Sequence, residues 1–353
     1  MVWVAVVVLG ATSGAAGVKE WESLTLAGRR AYEHGDYREA ESAFTAALRE
    51  LEALAVKGET LVSTLCNLGA VYHVLAKHTA AEDVLQRALG ICESLTGSEP
   101  SLCAKVLNNL GENRRWQHDF NQAESFYRRS LGILERAYGP DHRETAIARM
   151  NLGELCRLTR RVKQARSLYR RSLVTFEKQP IPDPLTMVAC LNNLGTSYSD
   201  EKEFRAAQPF YRRALEVMER SGLSEHPSVA TVLANMAGDA LSQRDMPRAE
   251  TLYRRSLALW EKSVGREHPR VMEIISRLAE VCRDSKQFAE AEILYRRSLT
   301  SQERSAGGSD PGVLTTLEQL ALVLIQAGKF TEADDVEARI EALRASHARG
   351  RSR

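Results

Sequence analysis

The sequence predicts an all-α fold, specifically a right-handed α-solenoid of about eight helix-turn-helix repeats. Two recurring motifs carry this prediction. The motif FYRRSL at 126–131 returns in close copies at a step of 42 residues, which places its tyrosines at Tyr127, Tyr169, Tyr211, Tyr253 and Tyr295. The triplet NLG at 67–69 returns with the same step, intact or varied, at 109–111, 151–153, 193–195, 235–237, 277–279 and 319–321. Such a period is typical of helical hairpins that stack side by side and bury one shared core.

Each repeat is predicted to contain two helices. In the third repeat, apolar residues fall at helical spacing from Leu102 to Leu110 and again from Ala123 to Leu134, on either side of a polar break at 118–120. Proline is tolerated at the first helical position, because its missing N–H would have no intrahelical partner there. Prolines in the links therefore mark the starts of first helices, at Pro100, Pro184, Pro227, Pro269 and Pro311.

A small residue recurs inside each first helix, at Gly69, Gly111, Gly153, Gly195, Ala237, Ala279 and Ala321. Glycine within a helix costs about 1 kcal/mol relative to alanine, so its recurrence needs a packing reason. We expect the small residue to let the second helix of the repeat approach closely. The recurring alanine of the second helix is expected in the same contact, at Ala123, Ala165, Ala207, Ala249 and Ala291.

The repeats are predicted to occupy residues 19–343, and the two ends differ from them. The last repeat lacks the Tyr-Arg-Arg motif, as expected of a terminal unit with a water-facing side, and 344–353 is interpreted as a basic disordered tail. Residues 1–18 carry no charged side chain and end in small residues. They are interpreted as a signal peptide cleaved near Gly17 or as an apolar N-terminal segment, which favours export to the periplasm or the extracellular space over a cytoplasmic location.

The large, small and aromatic residues of the repeat carry a family resemblance. Leu68, Gly69 and Tyr72, followed by Ala81, match the pattern of the tetratricopeptide repeat, and 226–269 resembles a kinesin light chain repeat almost from end to end. The ordinary unit of that family has about 34 residues, so these repeats are longer. The resemblance implies a protein-protein interaction scaffold that binds a linear peptide segment of a partner in its concave groove. Motor binding is not expected, because no heptad region precedes residue 20.

The arginine pairs of the repeated motif are interpreted as the solvated outer face of the second helices. Arg128 and Arg129 lie beside the apolar stripe, and Glu124 precedes Arg128 by four residues, a spacing that pairs opposite charges on a helix surface. The alternative is a basic stripe that binds nucleic acid. The formal net charge is only +2, with 48 basic against 46 acidic residues, so no strong overall field attracts phosphate.

Asparagine recurs in the first helices two residues before the small residue, at Asn67, Asn109, Asn151, Asn193 and Asn235. Because asparagine is a mediocre helix former, five copies in mid-helix need a reason. An amide both donates and accepts hydrogen bonds, so it suits the backbone of an extended peptide. The resemblance implies this peptide contact, whereas the alternative is an amide ladder that only ties neighbouring helices together. Lys105, Asn108, Arg115 and Asn192 are the other predicted peptide-binding residues of the groove.

The charges expected in the groove are mixed. In kinesin light chains, basic groove residues hold acidic peptides that carry a tryptophan, and the resemblance extends this role to Lys105 and Arg115. Glu112 and Glu154 oppose it, since they add negative charge beside these cations. Other side chains expected to face the groove are Trp116, Arg157, Thr196, Ser199, Glu273, Arg277, Glu280 and Arg283.

Sequence patterns that support catalysis are absent. The six cysteines show no zinc or redox spacing, and no nucleophile, base and acid can be grouped by spacing. The glycines at 10–17 do not follow the dinucleotide-binding pattern, because helical repeats rather than a second strand come after them. We therefore predict no enzyme activity, no cofactor and no metal site. Cys92 and Cys103 flank one inter-repeat turn and are placed to form a disulfide if the protein is exported.

The sequence thus favours a scaffold for protein-protein interaction. Two alternatives stay open: a basic-faced solenoid that binds nucleic acid, and a regulatory module of a separately encoded enzyme.

Overall fold

The described residues of the computed structural model are 15–95, 99–180, 183–306 and 311–351, and the regular structure in them is entirely helical. This confirms the all-α prediction. The helices are α1 (Ala15–His34), α2 (Tyr37–Ala53), α3 (Glu59–Val74), α4 (His78–Ser94), α5 (Pro100–Trp116), α6 (Phe120–Tyr138), α7 (Arg143–Leu158), α8 (Val162–Glu177), α9 (Pro184–Ser199), α10 (Phe204–Arg220), α11 (Pro227–Ser242), α12 (Met246–Val264), α13 (Pro269–Asp284), α14 (Phe288–Ala306), α15 (Pro311–Gln326) and α16 (Phe330–Arg351). No helix among these residues is long and apolar enough to cross a membrane.

Consecutive helices form eight helix-turn-helix repeats, as predicted, and all five link prolines are the first residues of first helices. At the N-terminus, α1 begins at Ala15, inside the segment expected to be a signal peptide. The rest of that segment, residues 1–14, lies outside the described residues. At the other end, α16 continues to Arg351, so most of the stretch expected to be disordered is helical.

The helices group into two compact units, residues 1–201 and 202–353, with the boundary between α9 and α10. In the first unit, each first helix from α3 onward packs against the second helix of the preceding repeat, and α3, α5, α7 and α9 also contact one another in sequence. The first helices of this unit therefore form a continuous layer. In the second unit, each helix packs against the next one along the chain from α10 to α16.

The small residue of the first helix gives room to an aromatic ring of the second. A Cβ atom added at Gly111 would lie 2.7 Å from Cε1 of Tyr127, and one added at Gly153 would lie 2.7 Å from Cε1 of Tyr169. Real Cβ atoms do not approach other atoms this closely. The close contact expected around the recurring alanine is thus made chiefly by the tyrosine of the repeated motif.

The serine and the second arginine of the motif also have defined partners. The buried hydroxyl of Ser130 donates a hydrogen bond of 2.9 Å to the carbonyl oxygen of Ala104, and the same bond recurs 42 residues later between Ser172 and Ala146. Arg129 forms an ion pair with Glu93 of the preceding repeat. In the third repeat, the motif therefore ties α6 to its own first helix α5 and to the second helix of the preceding repeat, α4.

Ion pairs between successive second helices recur along the chain. Arg128 pairs with Glu124 at 2.7 Å on its own helix, as the four-residue spacing predicts. The second arginine of the motif reaches back 36 residues in the pairs Glu93–Arg129 and Glu261–Arg297, and Arg339 at the equivalent place in the last repeat does the same with Glu303. The arginines of these pairs are one-third to one-half exposed. This arrangement supports the interpretation of the arginine pairs as a solvated, charge-neutralised face.

In six repeats, the turn between the two helices contains a residue other than glycine in the left-handed backbone conformation. These residues have φ between 56° and 62° and are Ala76, His118, Arg160, Lys202, Arg244 and Lys286. Gly35 and Gly328 occupy the equivalent place in the first and last repeats, with φ of 86° and 76°. Since side-chain-bearing residues rarely adopt this conformation, these turns could not be recognised from the residue types alone.

Two smaller expectations can be compared with the structure. Cys92 and Cys103 are joined by a disulfide, with their Cα atoms 5.7 Å apart. His142 caps α7 by accepting a hydrogen bond of 3.2 Å at Nδ1 from the backbone N–H of Glu144. Equivalent caps occur at His226 and His268.

Candidate peptide-binding groove

One cavity of the first unit gathers five of the predicted groove residues. It measures about 180 Å³ and is open to solvent between α3, α5 and α7. The predicted residues in its wall are Asn67, Lys105, Asn108, Asn109 and Asn151. We call this site the Asn cavity; its other lining residues are Cys66, Ala70, Ser101, Ala104, Leu134, Glu144 and Ile147.

The amides of the Asn cavity are not used to hold the helices together. The side chains of Asn109 and Asn151 make no hydrogen bond within the described part of the chain, and Oδ1 of Asn108 is buried without a partner there. Buried polar groups in proteins are normally hydrogen-bonded, so an unpartnered one calls for an explanation. An amide ladder between neighbouring helices does not provide it at these positions.

Lys105 contributes the only positive charge to the wall of the Asn cavity in the described residues. No carboxylate lies within ion-pairing distance of its ammonium group in that part of the chain. Burial lowers the pKa of Lys105, while Cys66, Glu144 and Glu99 act in the opposite direction. The cavity therefore presents a partly buried cation beside its free amides.

Arg115 lies outside the Asn cavity and is already paired. Its guanidinium donates to both carboxylate oxygens of Glu112, which also accepts hydrogen bonds of 2.9 Å from the hydroxyl of Tyr127 and 3.1 Å from Nε1 of Trp116. Burial acts to raise the pKa of Glu112, but these donors hold it below its ordinary value. The Glu112 carboxylate thus neutralises Arg115 and accepts the hydrogen bond of the Tyr127 hydroxyl, so both interactions lie within the fold.

The same cluster recurs in the next repeat. Tyr169 donates to Glu154 at 3.0 Å, and Arg157 donates to Glu154 at 2.8 and 2.9 Å. Arg157 also pairs with Asp200 at 2.5 Å. Glu112 and Glu154, the acidic residues expected to oppose the basic groove, therefore each bind an arginine and a tyrosine of the fold.

Trp116 is an exposed aromatic side chain next to Glu112 and Arg115. It is 55% exposed, packs edge-on against His73 at 5.4 Å between ring centroids, and lies 5.3 Å from the Arg115 guanidinium. Burial lowers the pKa of His73 although the Glu112 carboxylate opposes the change. Together these groups form an aromatic shelf at the C-terminal end of α5, beside a guanidinium that Glu112 neutralises.

The remaining predicted residues are not part of the Asn cavity. Asn192 and Asn193 lie half-buried on α9, and Asn235 lies half-buried on α11 in the second unit. That unit has its own cavity of about 500 Å³, whose wall includes Glu273, Arg277 and Glu280. Arg277 is paired with Glu280 at 3.3 Å, so the alternating charges expected there neutralise each other.

Sequence reasoning missed the apolar part of the Asn cavity. Ala70, Ala104, Leu134 and Ile147 form that part. Ile147 precedes Asn151 by four residues, so it shares a helix face with the amide, and this spacing was a usable signal. Leu134 comes from α6, and only the packing of second helices against first helices brings it to the cavity.

Comparison with known families gives a consistent assignment. Three tetratricopeptide repeat models match the chain, one at residues 102–178, 187–262, 228–304 and 270–346, a second at 61–100 and a third at 25–59. A comparison with curated protein sequences returned no match.

Solved structures of low sequence identity share the fold. BtubC (BKLC) from P. vanneervenii aligns with a TM-score of 0.57 and 23% identity, over 67% of this chain and 92% of that one. A Rap protein complexed with competence and sporulation factor aligns with a TM-score of 0.55 and 17% identity, over 95% and 98%. The quorum sensor NprR from B. thuringiensis, in its apo form, aligns with a TM-score of 0.52 and 13% identity, over 94% and 99%.

The family models together span more than half of the chain, and the helical hairpins repeat with the period read from the sequence. The chain therefore belongs to the tetratricopeptide repeat family, and its 42-residue repeats are similar to those of kinesin light chains.

Proposed function

We propose that this protein is a protein-protein interaction scaffold and that the Asn cavity binds an extended peptide segment of its partner. The observation that carries the proposal is the set of asparagine amides that line a cavity together and have no hydrogen-bond partner among the described residues. Repeat proteins of this kind use extended surfaces formed by successive repeats for binding. The Rap protein of similar fold was solved with a bound factor, which supports a ligand-binding role for the fold.

The amides match the hydrogen-bonding needs of a peptide backbone. Each side-chain amide donates through nitrogen and accepts through oxygen, as a backbone N–H and C=O pair requires. Packed helices lie about 8–10 Å apart and an extended peptide advances about 3.3 Å per residue. Asn109 and Asn151, on successive first helices, are therefore matched to backbone groups about three residues apart.

The apolar part of the Asn cavity offers a place for one side chain of the peptide. A dry cavity of about 150 Å³ in another protein accommodates benzene, so 180 Å³ suffices for one aromatic or branched aliphatic side chain. Its wall at Ala70 and Ala104 is formed by small residues, which leave this space open. The peptide is thus expected to carry one apolar anchor between residues that contact the amides.

The charge of the cavity favours an acidic residue in the peptide. Lys105 has no ion-pair partner among the described residues, whereas Arg115 is neutralised by Glu112. A carboxylate of the partner next to Lys105 replaces water around a partly buried ammonium group and so adds specificity. Glu144 also lines the cavity and restricts the favourable position to the side nearer Lys105.

A displayed library of random dodecapeptides, selected on the immobilised full chain, tests the proposal. Enriched peptides are expected to contain an acidic residue and an apolar anchor. On addition of a synthetic enriched peptide, amide hydrogen exchange should slow in α3, α5 and α7. Failure to enrich any peptide, or protection confined to the second helices α4, α6 and α8, would contradict the proposed site.

A further inference from the structure

Arg149 of α7 breaks the pattern of the hydrophobic core. Every other repeat except the first has an aliphatic residue at the equivalent position. These residues are 0–1% exposed and are Leu65, Leu107, Leu191, Leu233, Ile275 and Leu317. Arg149 is buried to the same degree, with 2% exposure. A buried guanidinium is costly unless its charge and its donors are matched, so its presence in this column points to a specific role.

The fold satisfies Arg149 only in part. Nη2 donates to the carbonyl oxygen of Pro140 at 2.9 Å and lies 3.5 Å from a carboxylate oxygen of Glu135, while Nε is buried without a partner. Burial and the nearby Arg171 lower the pKa of Arg149, and Glu135 opposes them. Arginine nevertheless stays charged in proteins. The described residues therefore leave part of a buried cation uncompensated.

A cavity of about 250 Å³ is lined by Arg149 and by two further arginines, Arg170 and Arg171. Its wall consists of Pro140, Asp141, Arg149, Arg170, Arg171 and Val174. Arg170 donates to the hydroxyl of Tyr198, and no carboxylate pairs with Arg170 or Arg171 in the described part of the chain. Counting these three arginines with Asp141 in the wall and Glu135 beside Arg149 leaves one net positive charge at the cavity.

Arg171 lacks an ion pair that its equivalent in the preceding repeat forms. The second arginines Arg129 and Arg297 pair with a glutamate 36 residues earlier, Glu93 and Glu261 respectively. The corresponding glutamate for Arg171 is Glu135, which instead approaches Arg149. The carboxylate at the corresponding position thus lies beside the buried Arg149, and Arg171 is exposed at the rim of the cavity.

We propose that this cavity is a binding site for a phosphate group. Guanidinium groups present N–H donors in a planar fork that matches the oxygens of phosphate, and a dianion compensates the charge that the fold leaves unmatched. Arg149 supplies the buried donors, while Arg170 and Arg171 close the site from α8. This site is independent of the Asn cavity, since the two share no lining residue.

Thermal unfolding of the full chain with increasing inorganic phosphate, against sodium chloride at the same ionic strength, tests this site. Phosphate is expected to raise the midpoint of the wild type, and chloride is not. Arg149→Leu restores the residue type of the other repeats, so it should fold with an equal or higher midpoint and bind phosphate at least about tenfold more weakly. Arg171→Gln should weaken phosphate binding about 3–10-fold, because one of three guanidinium groups is lost.

Arg129→Gln is the matched control, since it removes the equivalent arginine of the preceding repeat and should leave phosphate binding unchanged. A parallel titration with O-phospho-L-serine distinguishes the sources of the ligand: tighter binding than inorganic phosphate indicates a phosphorylated side chain, and weaker binding indicates free phosphate. The proposal is overturned if phosphate does not raise the wild-type midpoint, or if Arg149→Leu responds as the wild type does.

Discussion

Replacing Gly153 by alanine isolates the contact that sets the spacing of the two helices in a repeat. The new Cβ would lie 2.7 Å from Cε1 and 3.0 Å from Cδ1 of Tyr169, whose side chain is fully buried. Overpacking of this kind costs about 1–3 kcal/mol. Alanine is also the better helix former by about 1 kcal/mol, which partly offsets the cost.

Gly90→Ala in α4 separates these two effects. Gly90 is exposed in mid-helix and nothing lies within 4 Å of an added Cβ, so only the gain in helix propensity remains. The free energy of unfolding of Gly153→Ala should therefore fall below that of Gly90→Ala by about 1–3 kcal/mol. Gly153→Leu should be less stable than either variant.

Urea denaturation followed by circular dichroism measures these differences, provided that the slope with denaturant is the same for each variant. If Gly153→Ala equalled or exceeded Gly90→Ala in stability, the ring of Tyr169 would not fix the approach of α8 to α7. Gly111→Ala, whose new Cβ would meet the ring of Tyr127, tests the same contact in the third repeat by the same comparison with Gly90→Ala.

Two further predictions concern pH and redox state. Hydrogen bonds from Arg157 and Tyr169 outweigh burial and lower the pKa of Glu154, so the stability that its ionised form contributes is fully present above its ordinary pKa of 4.5 and is lost as pH falls through the lowered value. Urea midpoints measured from pH 3 to 6 should therefore drop less in Glu154→Gln than in the wild type, and parallel curves would contradict this role. Reduction of the Cys92–Cys103 disulfide, which spans 11 residues, should lower the free energy of unfolding by about 3 kcal/mol, and a Cys103→Ser variant should not respond to the reductant. An equal loss in that variant on adding reductant would show that the disulfide is not the source.

The repeat architecture was predictable because each signal is written several times. One proline or one small residue is weak evidence for a helix start or a close contact, whereas the same residue at a constant step in several repeats is strong evidence. The helix starts at Pro100 and Pro184 and the close contact at Gly153 followed from this repetition.

The polar contacts were less predictable, because they depend on how one repeat is placed on the next. The bond from Tyr127 to Glu112 links residues 15 apart on different helices, and nothing in the spacing alone pairs them. Arg149 did carry a sequence signal, since it interrupts a column of aliphatic residues. That signal becomes visible only when the repeats are aligned position by position rather than searched for shared motifs.

The expected peptide-binding residues show both outcomes. Residues near one another in successive first helices, such as Asn109 and Asn151, were predicted together and lie in one cavity. Arg115 is different, because its neighbour Glu112 is three residues away on the same helix and takes its charge. Sequence alone does not distinguish a cation available to a ligand from one consumed by such a pair.

Calorimetric titration of a selected peptide into the Asn67→Ala, Asn109→Ala and Asn151→Ala triple variant, which changes three amides of the Asn cavity, tests the proposed function most directly. A hydrogen bond contributes about 0.5–1.5 kcal/mol, so losing three should weaken binding about 10–1000-fold. Helical content should be retained, because alanine favours the helix. The double variant Arg128→Gln and Arg254→Gln, on the second helices, should bind as the wild type does. Undiminished affinity in the asparagine variant, together with loss of binding in the arginine variant, would contradict the account and move the binding surface to the second helices.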